Sequence, residues 1–76
     1  MPKHVRVSWK KFERFILGLG CVYARTKGDH RIYRRSDLTR PIVIPRHDPL
    51  SPGMIENNLR TLGITKVEFE KMIRKL

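Results

Sequence analysis

Trp9, Phe12, Ile16 and Leu19 recur at spacings of three, four and three, and directly after Gly20 the pattern changes to alternation, with Val22 and Ala24 set against Tyr23 and Arg25. The first spacing is one face of an α-helix and the second is the period of a β-strand. A chain that makes this change within a few residues must turn back at Gly18-Leu19-Gly20 and lay the helix against the strand that follows. Ser8 stands where an N-cap belongs, and Lys10, Lys11, Glu13 and Arg14 fill the polar side. Gly18 and Gly20 supply the left-handed conformation that ends helices.

"CVYART" is thus a strand, and a turn at Lys27-Gly28-Asp29 leads to a second in "HRIYRR". After "SDLT" comes a third, "RPIVIP", whose Pro41 and Pro45 mark its ends or a sheet edge, since proline cannot donate to a ladder. Ser51 followed by Pro52 is a strong helix start, with Met54, Ile55, Leu59 and Leu62 on one face and Gly63 as the stop. Thr65 to Glu68 fits a capping box that opens a last helix with Val67, Phe69, Met72, Ile73 and Leu76 as its apolar side. Short connections make the three-stranded sheet antiparallel, and the helices must cover one of its faces. The expectation is a single α+β two-layer domain over residues 1–76, with a thin core because so short a chain buries only a modest share of its surface.

The charge is as informative as the period. Seventeen Lys and Arg against seven Asp and Glu give +10 at pH 7. The excess is uneven: residues 1–50 carry twelve basic and four acidic side chains, and residues 51–76 carry five and three. An anion-facing surface therefore belongs to the N-terminal two thirds, with nucleic acid the foremost partner. The uncovered face of the sheet is expected to carry the strand arginines, Arg25, Arg31, Arg34, Arg35, Arg40 and Arg46. A membrane surface is disfavoured because no helix shows a lysine-rich amphipathic face, and there is neither a transmembrane run nor the apolar stretch of a signal peptide. Cys21 is alone, which suits a reducing compartment, and the cytoplasm is the expected location.

His30 follows the Gly28-Asp29 turn and has Arg25, Lys27, Arg31, Arg34 and Arg35 within a few residues. Histidine gives or takes a proton near neutral pH, and cations hold phosphate. RNA cleavage needs that pairing: the 2'-hydroxyl is the nucleophile, so a proton acceptor or donor and charge stabilisation suffice, with no metal. The residues alone leave a plainer alternative, a histidine that caps a turn or is merely exposed. If Ile32 points to the core, His30 shares its side at the start of the strand. His47, between Arg46 and Asp48, is a second candidate for proton transfer, and His4 has no assigned role. His4, Cys21, His30 and His47 lack the close pairs of a zinc site, so no metal or other cofactor is expected. Tyr23 and Tyr33 either stack on bases or pack across strands. The last two helices resemble a helix-turn-helix, but Glu68 and Glu70 in the second would repel phosphate.

Together these motifs resemble the HicA-type toxins, the YcfA-like family of small mRNA interferases. The counterparts are Gly28-Asp29-His30 with Ile32-Tyr33, then Ile44-Pro45-Arg46-His47, then Gly53 opening a helix, and Leu62-Gly63-Ile64-Thr65 with Glu68-Phe69, over roughly residues 8 to 74. The resemblance implies a double-stranded-RNA-binding-domain-like α-β-β-β-α fold with an added C-terminal helix. It also implies that His30 is the catalytic residue of a metal-independent endoribonuclease acting on mRNA, and that a HicB-like antitoxin neutralises it. Arg25, Lys27, Arg31, Arg34, Arg46 and His47 are the expected RNA contacts. Asp29 departs from the serine usual before the histidine. Its carboxylate either orients the imidazole or repels substrate. The rival is a non-catalytic basic RNA- or DNA-binding module, and a third reading is a basic ribosome-associated protein.

Overall fold

The structure, a computed structural model, describes residues 6–76. The element order is α1 (Trp9–Gly18), β1 (Val22–Lys27), β2 (His30–Arg34), β3 (Ile42–Pro45), α2 (Pro52–Leu62) and α3 (Lys66–Arg74). Each helix starts where a side chain takes up a free backbone N–H. Ser8 Oγ accepts from the N–H of Lys11 at 3.1 Å and Ser51 Oγ from that of Met54 at 3.3 Å. Thr65 and Glu68 form a reciprocal capping box, the Thr65 N–H donating to Glu68 Oε1 at 2.9 Å. Gly63, at φ +72°, ends α2 in the left-handed region.

The sheet is antiparallel in the order β1-β2-β3. Its register decides what each face carries, because residues paired across an antiparallel ladder project to the same side. Tyr33 pairs with Tyr23 and Ile42, and Arg31 with Thr26 and Ile44, so these share one face. His30 pairs with Lys27 and Pro45, Ile32 with Arg25 and Val43, and Arg34 with Val22, so these share the other. A bulge between Tyr23 and Arg25 keeps Tyr23 and Thr26 on one side despite their odd spacing.

The core lies on the first face. Tyr33, Ile42 and Ile44 are fully buried there with Phe12 and Ile16 of α1. Phe69 of α3 meets Phe15 at 4.9 Å and Phe12 at 5.8 Å between ring centroids, both edge to face, and Ile73 lies one turn further along. Ile55, Leu59 and Leu62 close the core from α2. That helix is held along β3 by buried Asn58, whose amide donates to the Val43 carbonyl at 3.0 Å.

Several expectations are corrected. Phe15, not half-buried Trp9, completes the α1 core. Val67, Met72 and Leu76 are exposed, since a nine-residue helix touching the core along one line buries only Phe69 and Ile73. The side of β2 that alternation leaves open is decided by register: the main core forms on the Tyr33 side, and Ile32, itself buried, shares the opposite face with His30. The strand arginines do not share a face either. Arg35 donates to the Leu19 carbonyl at 2.7 Å and to Asp37 at 2.6 Å, tying the end of α1 to the turn before β3.

Arg31 lies on the core side. It pairs with Glu13 of α1 at 3.1 Å and donates to the Tyr33 hydroxyl at 2.9 Å, and that hydroxyl in turn donates to Glu13. Burial, and then the adjoining Glu13 carboxylate, pushes the Tyr33 hydroxyl up to about 12. An unfolded tyrosine titrates near pH ~10, so the folded state holds this proton more tightly. The resulting stabilisation is complete below pH ~10 and lost as pH rises from there through about 12. Denaturant titrations of the wild type should show an alkaline loss, on the order of 2 kcal/mol, that Tyr33→Phe lacks. Equal alkaline sensitivity in the two proteins would contradict this assignment.

Candidate functional site

The geometry starts at the β1-β2 turn. Lys27 and His30 pair across a two-residue connection in which Gly28 takes φ +60°. Glycine as the first of two turn residues is the pattern that matches strand twist, and an L side chain there would be strained. The Asp29 carbonyl accepts from the N–H of Arg46 at 2.9 Å, so the turn is fastened to the end of β3. His30 is thereby fixed as the first residue of the central strand, exposed on the face away from the core. No hydrogen bond ties its ring to another described residue.

Arg25, Lys27 and Arg34 are exposed on that same face, by register. Beside them an open groove of about 980 Å³ runs between β3 and α2. His30 and Val43 line its sheet side, Asn57, Arg60 and Thr61 its helix side, and Arg40 comes from the loop before β3. No carboxylate lines it. An exposed imidazole among guanidinium groups, facing a concave surface free of negative charge, can exchange a proton with a bound polyanion.

The other expected contacts are placed differently. The Arg31 guanidinium carbon lies 4.4 Å from the Tyr23 ring centroid and 5.6 Å from that of Trp9, on the face opposite His30. Its charge is already matched by Glu13. Arg46 follows Pro45, and its guanidinium lies 5.7 Å from the Trp9 ring. His47 is exposed in the loop before α2 and does not line the groove. The same loop fastens α1, since Asp48 Oδ1 accepts from the Trp9 N–H at 2.8 Å. Of the residues named from sequence, the structure therefore gathers His30, Arg25, Lys27 and Arg34, and sets Arg31, Arg46 and His47 apart.

Tyr23 and Tyr33 pack edge to face at 5.8 Å, with Tyr33 wholly buried and Tyr23 half exposed. Burial pushes the Cys21 thiol up, which keeps it protonated and poorly nucleophilic. Among the described residues no three His, Cys, Asp or Glu side chains gather as a metal site, and His4 lies outside those residues. No helix of the described residues is long and apolar enough to cross a membrane. Asn57 and Arg60 carry no local sequence signal for a site, because only the folding of α2 along β3 brings them opposite His30.

A family model described as the HicA toxin of bacterial toxin-antitoxin matches residues 9–64, a span that includes α1, the whole sheet and α2. No curated protein matches the chain.

Proposed function

The chain belongs to the HicA toxin family of bacterial toxin-antitoxin systems, and on that premise we propose that it is a metal-independent endoribonuclease that cleaves mRNA, with His30 as the proton-transfer group. Membership makes an antitoxin its partner, and we take that antitoxin to be HicB-like and the site of action to be the cytoplasm, where mRNA is found.

One observation carries the reading. His30 is exposed on the face that carries Arg25, Lys27 and Arg34, none of which forms an ion pair among the described residues, and it opens onto a groove with no carboxylate. A backbone phosphate seated by Arg25, Lys27 and Arg34 brings its ribose to the imidazole. His30 takes the proton of the 2'-hydroxyl as the 2'-oxygen bonds to phosphorus. The bond from phosphorus to the 5'-oxygen breaks, and the imidazolium returns its proton to that leaving oxygen. The cations hold the charge that builds on the phosphorane. Because the nucleophile belongs to the substrate, no bound hydroxide has to be generated. Arg31, Arg46 and His47 are assigned no part in this step.

Purified protein incubated in EDTA with an RNA and its all-deoxy analogue is expected to cut only the RNA. Cleavage that requires added metal, or equal cutting of the DNA, would overturn the mechanism. Salt-sensitive binding with no product over hours would instead identify a binding module.

A further inference from the structure

We infer that the groove between β3 and α2 is a nucleotide subsite for a single RNA strand, in which Arg40 and Arg60 hold phosphates next to the scissile one and Asn57 meets a base edge. This deepens the ribonuclease reading and rests on it only for the bond that is cut.

Three features of the groove fit an unpaired strand. Its two cations are uncommitted: the ion pairs among the described residues join Arg31 to Glu13, Arg35 to Asp37 and Lys66 to Glu56, and none engages Arg40 or Arg60. Its amides are divided. Asn58 is buried and donates to Val43, whereas Asn57 is exposed and its side-chain amide forms no hydrogen bond among the described residues. Its floor includes Val43, Pro41, Pro45 and Met54, apolar surface against which a base can lie. A single strand supplies phosphates for the cations and base faces and edges for the rest. A duplex turns its bases inward and offers this surface mainly sugars and phosphates, so the floor and Asn57 would go unused. In-line attack also favours an unpaired strand, because helical stacking holds the 2'-oxygen out of line with the leaving group.

The test uses the intact protein and a labelled 2'-O-methyl oligonucleotide, which binds but has no free 2'-hydroxyl. Its anisotropy is followed across a salt series, with cleavage of the matching RNA in parallel. Arg40→Gln/Arg60→Gln should bind the strand at least about tenfold more weakly, and the slope of log K on log salt should shrink by about 1.4, two phosphates at roughly 0.7 each. Both arginines are exposed, so circular dichroism and melting should match the wild type. Arg74→Gln on α3, outside the groove, should change nothing. Asn57→Ala should shift which base is preferred beside the cut.

If the double variant binds with unchanged affinity and slope, the subsite is wrong, including the case where a protein partner covers the groove. Weakened binding in the variant while the wild type cuts no RNA would uphold the subsite and reject the ribonuclease reading. Wild-type cleavage with unchanged binding in the variant would do the reverse, and a wild type that binds no strand would reject both.

Discussion

His30→Ala is expected to lower the rate of RNA cleavage by about 10²- to 10⁴-fold, the usual worth of a positioned proton-transfer group, and to abolish growth arrest on induction. Folding should be preserved. The ring is exposed and bonded to no other described residue, so its removal should leave stability within about 0.5 kcal/mol. Kinetics separate this role from simple binding. Removing a proton-transfer group lowers kcat at saturating substrate, whereas Arg60→Gln, across the groove and away from the scissile phosphate, should chiefly raise KM. A His30→Ala protein that cuts RNA at the wild-type rate would show that the imidazole is not the reagent.

Phe69→Ala should be the most damaging substitution in α3, costing about 3–5 kcal/mol. That is a large share of the roughly 5–15 kcal/mol that holds a small domain together. Phe69 is only 3% exposed and joins α3 to both Phe12 and Phe15. It lies beyond the family-matched span, which ends at residue 64. The terminal helix is nonetheless part of the core, and a chain cut after Ile64 should fail to give a cooperative transition. Val67→Ala on the same helix, at a position 63% exposed, should cost within about 0.5 kcal/mol. Urea titrations would show the contrast, and a loss below about 1 kcal/mol for Phe69→Ala would mean that α3 is only loosely attached.

Much of this fold is legible in the chain because its signals are local. Ser8, Ser51 and Thr65 cap helices where the sequence puts caps, and Gly63 ends one by its φ. The change of period after Gly20 marks the first strand one residue early, at Cys21. The sidedness of β2 is not a local property. "HRIYRR" has apolar residues at both Ile32 and Tyr33, so alternation permits either face to be the core. What decides is Tyr33 reaching Glu13 of α1, a contact between residues 20 apart in the chain. That one choice moves Arg31 away from His30 although the two are neighbours in sequence.

The candidate site divides in the same way. The Gly28-Asp29-His30 turn and the cations of β1 and β2 are visible as a cluster, because a hairpin keeps them adjacent. Arg60 and Asn57 are not, since their placement depends on a buried amide, Asn58, gripping the edge of β3. A polar residue among the apolar positions of α2 gives no sign that it sets the helix against a strand.

The central claim is that the ribose 2'-hydroxyl attacks and His30 moves its proton. It is tested most directly by the chemical ends of the RNA products. Attack by the 2'-oxygen leaves a 2',3'-cyclic phosphate on one fragment and a 5'-hydroxyl on the other. Mass spectrometry of a short RNA cut by the wild-type protein in EDTA is expected to find these ends, and to find them absent with His30→Ala. Fragments bearing a 3'-hydroxyl and a 5'-phosphate would contradict the account, because those ends come from attack by water.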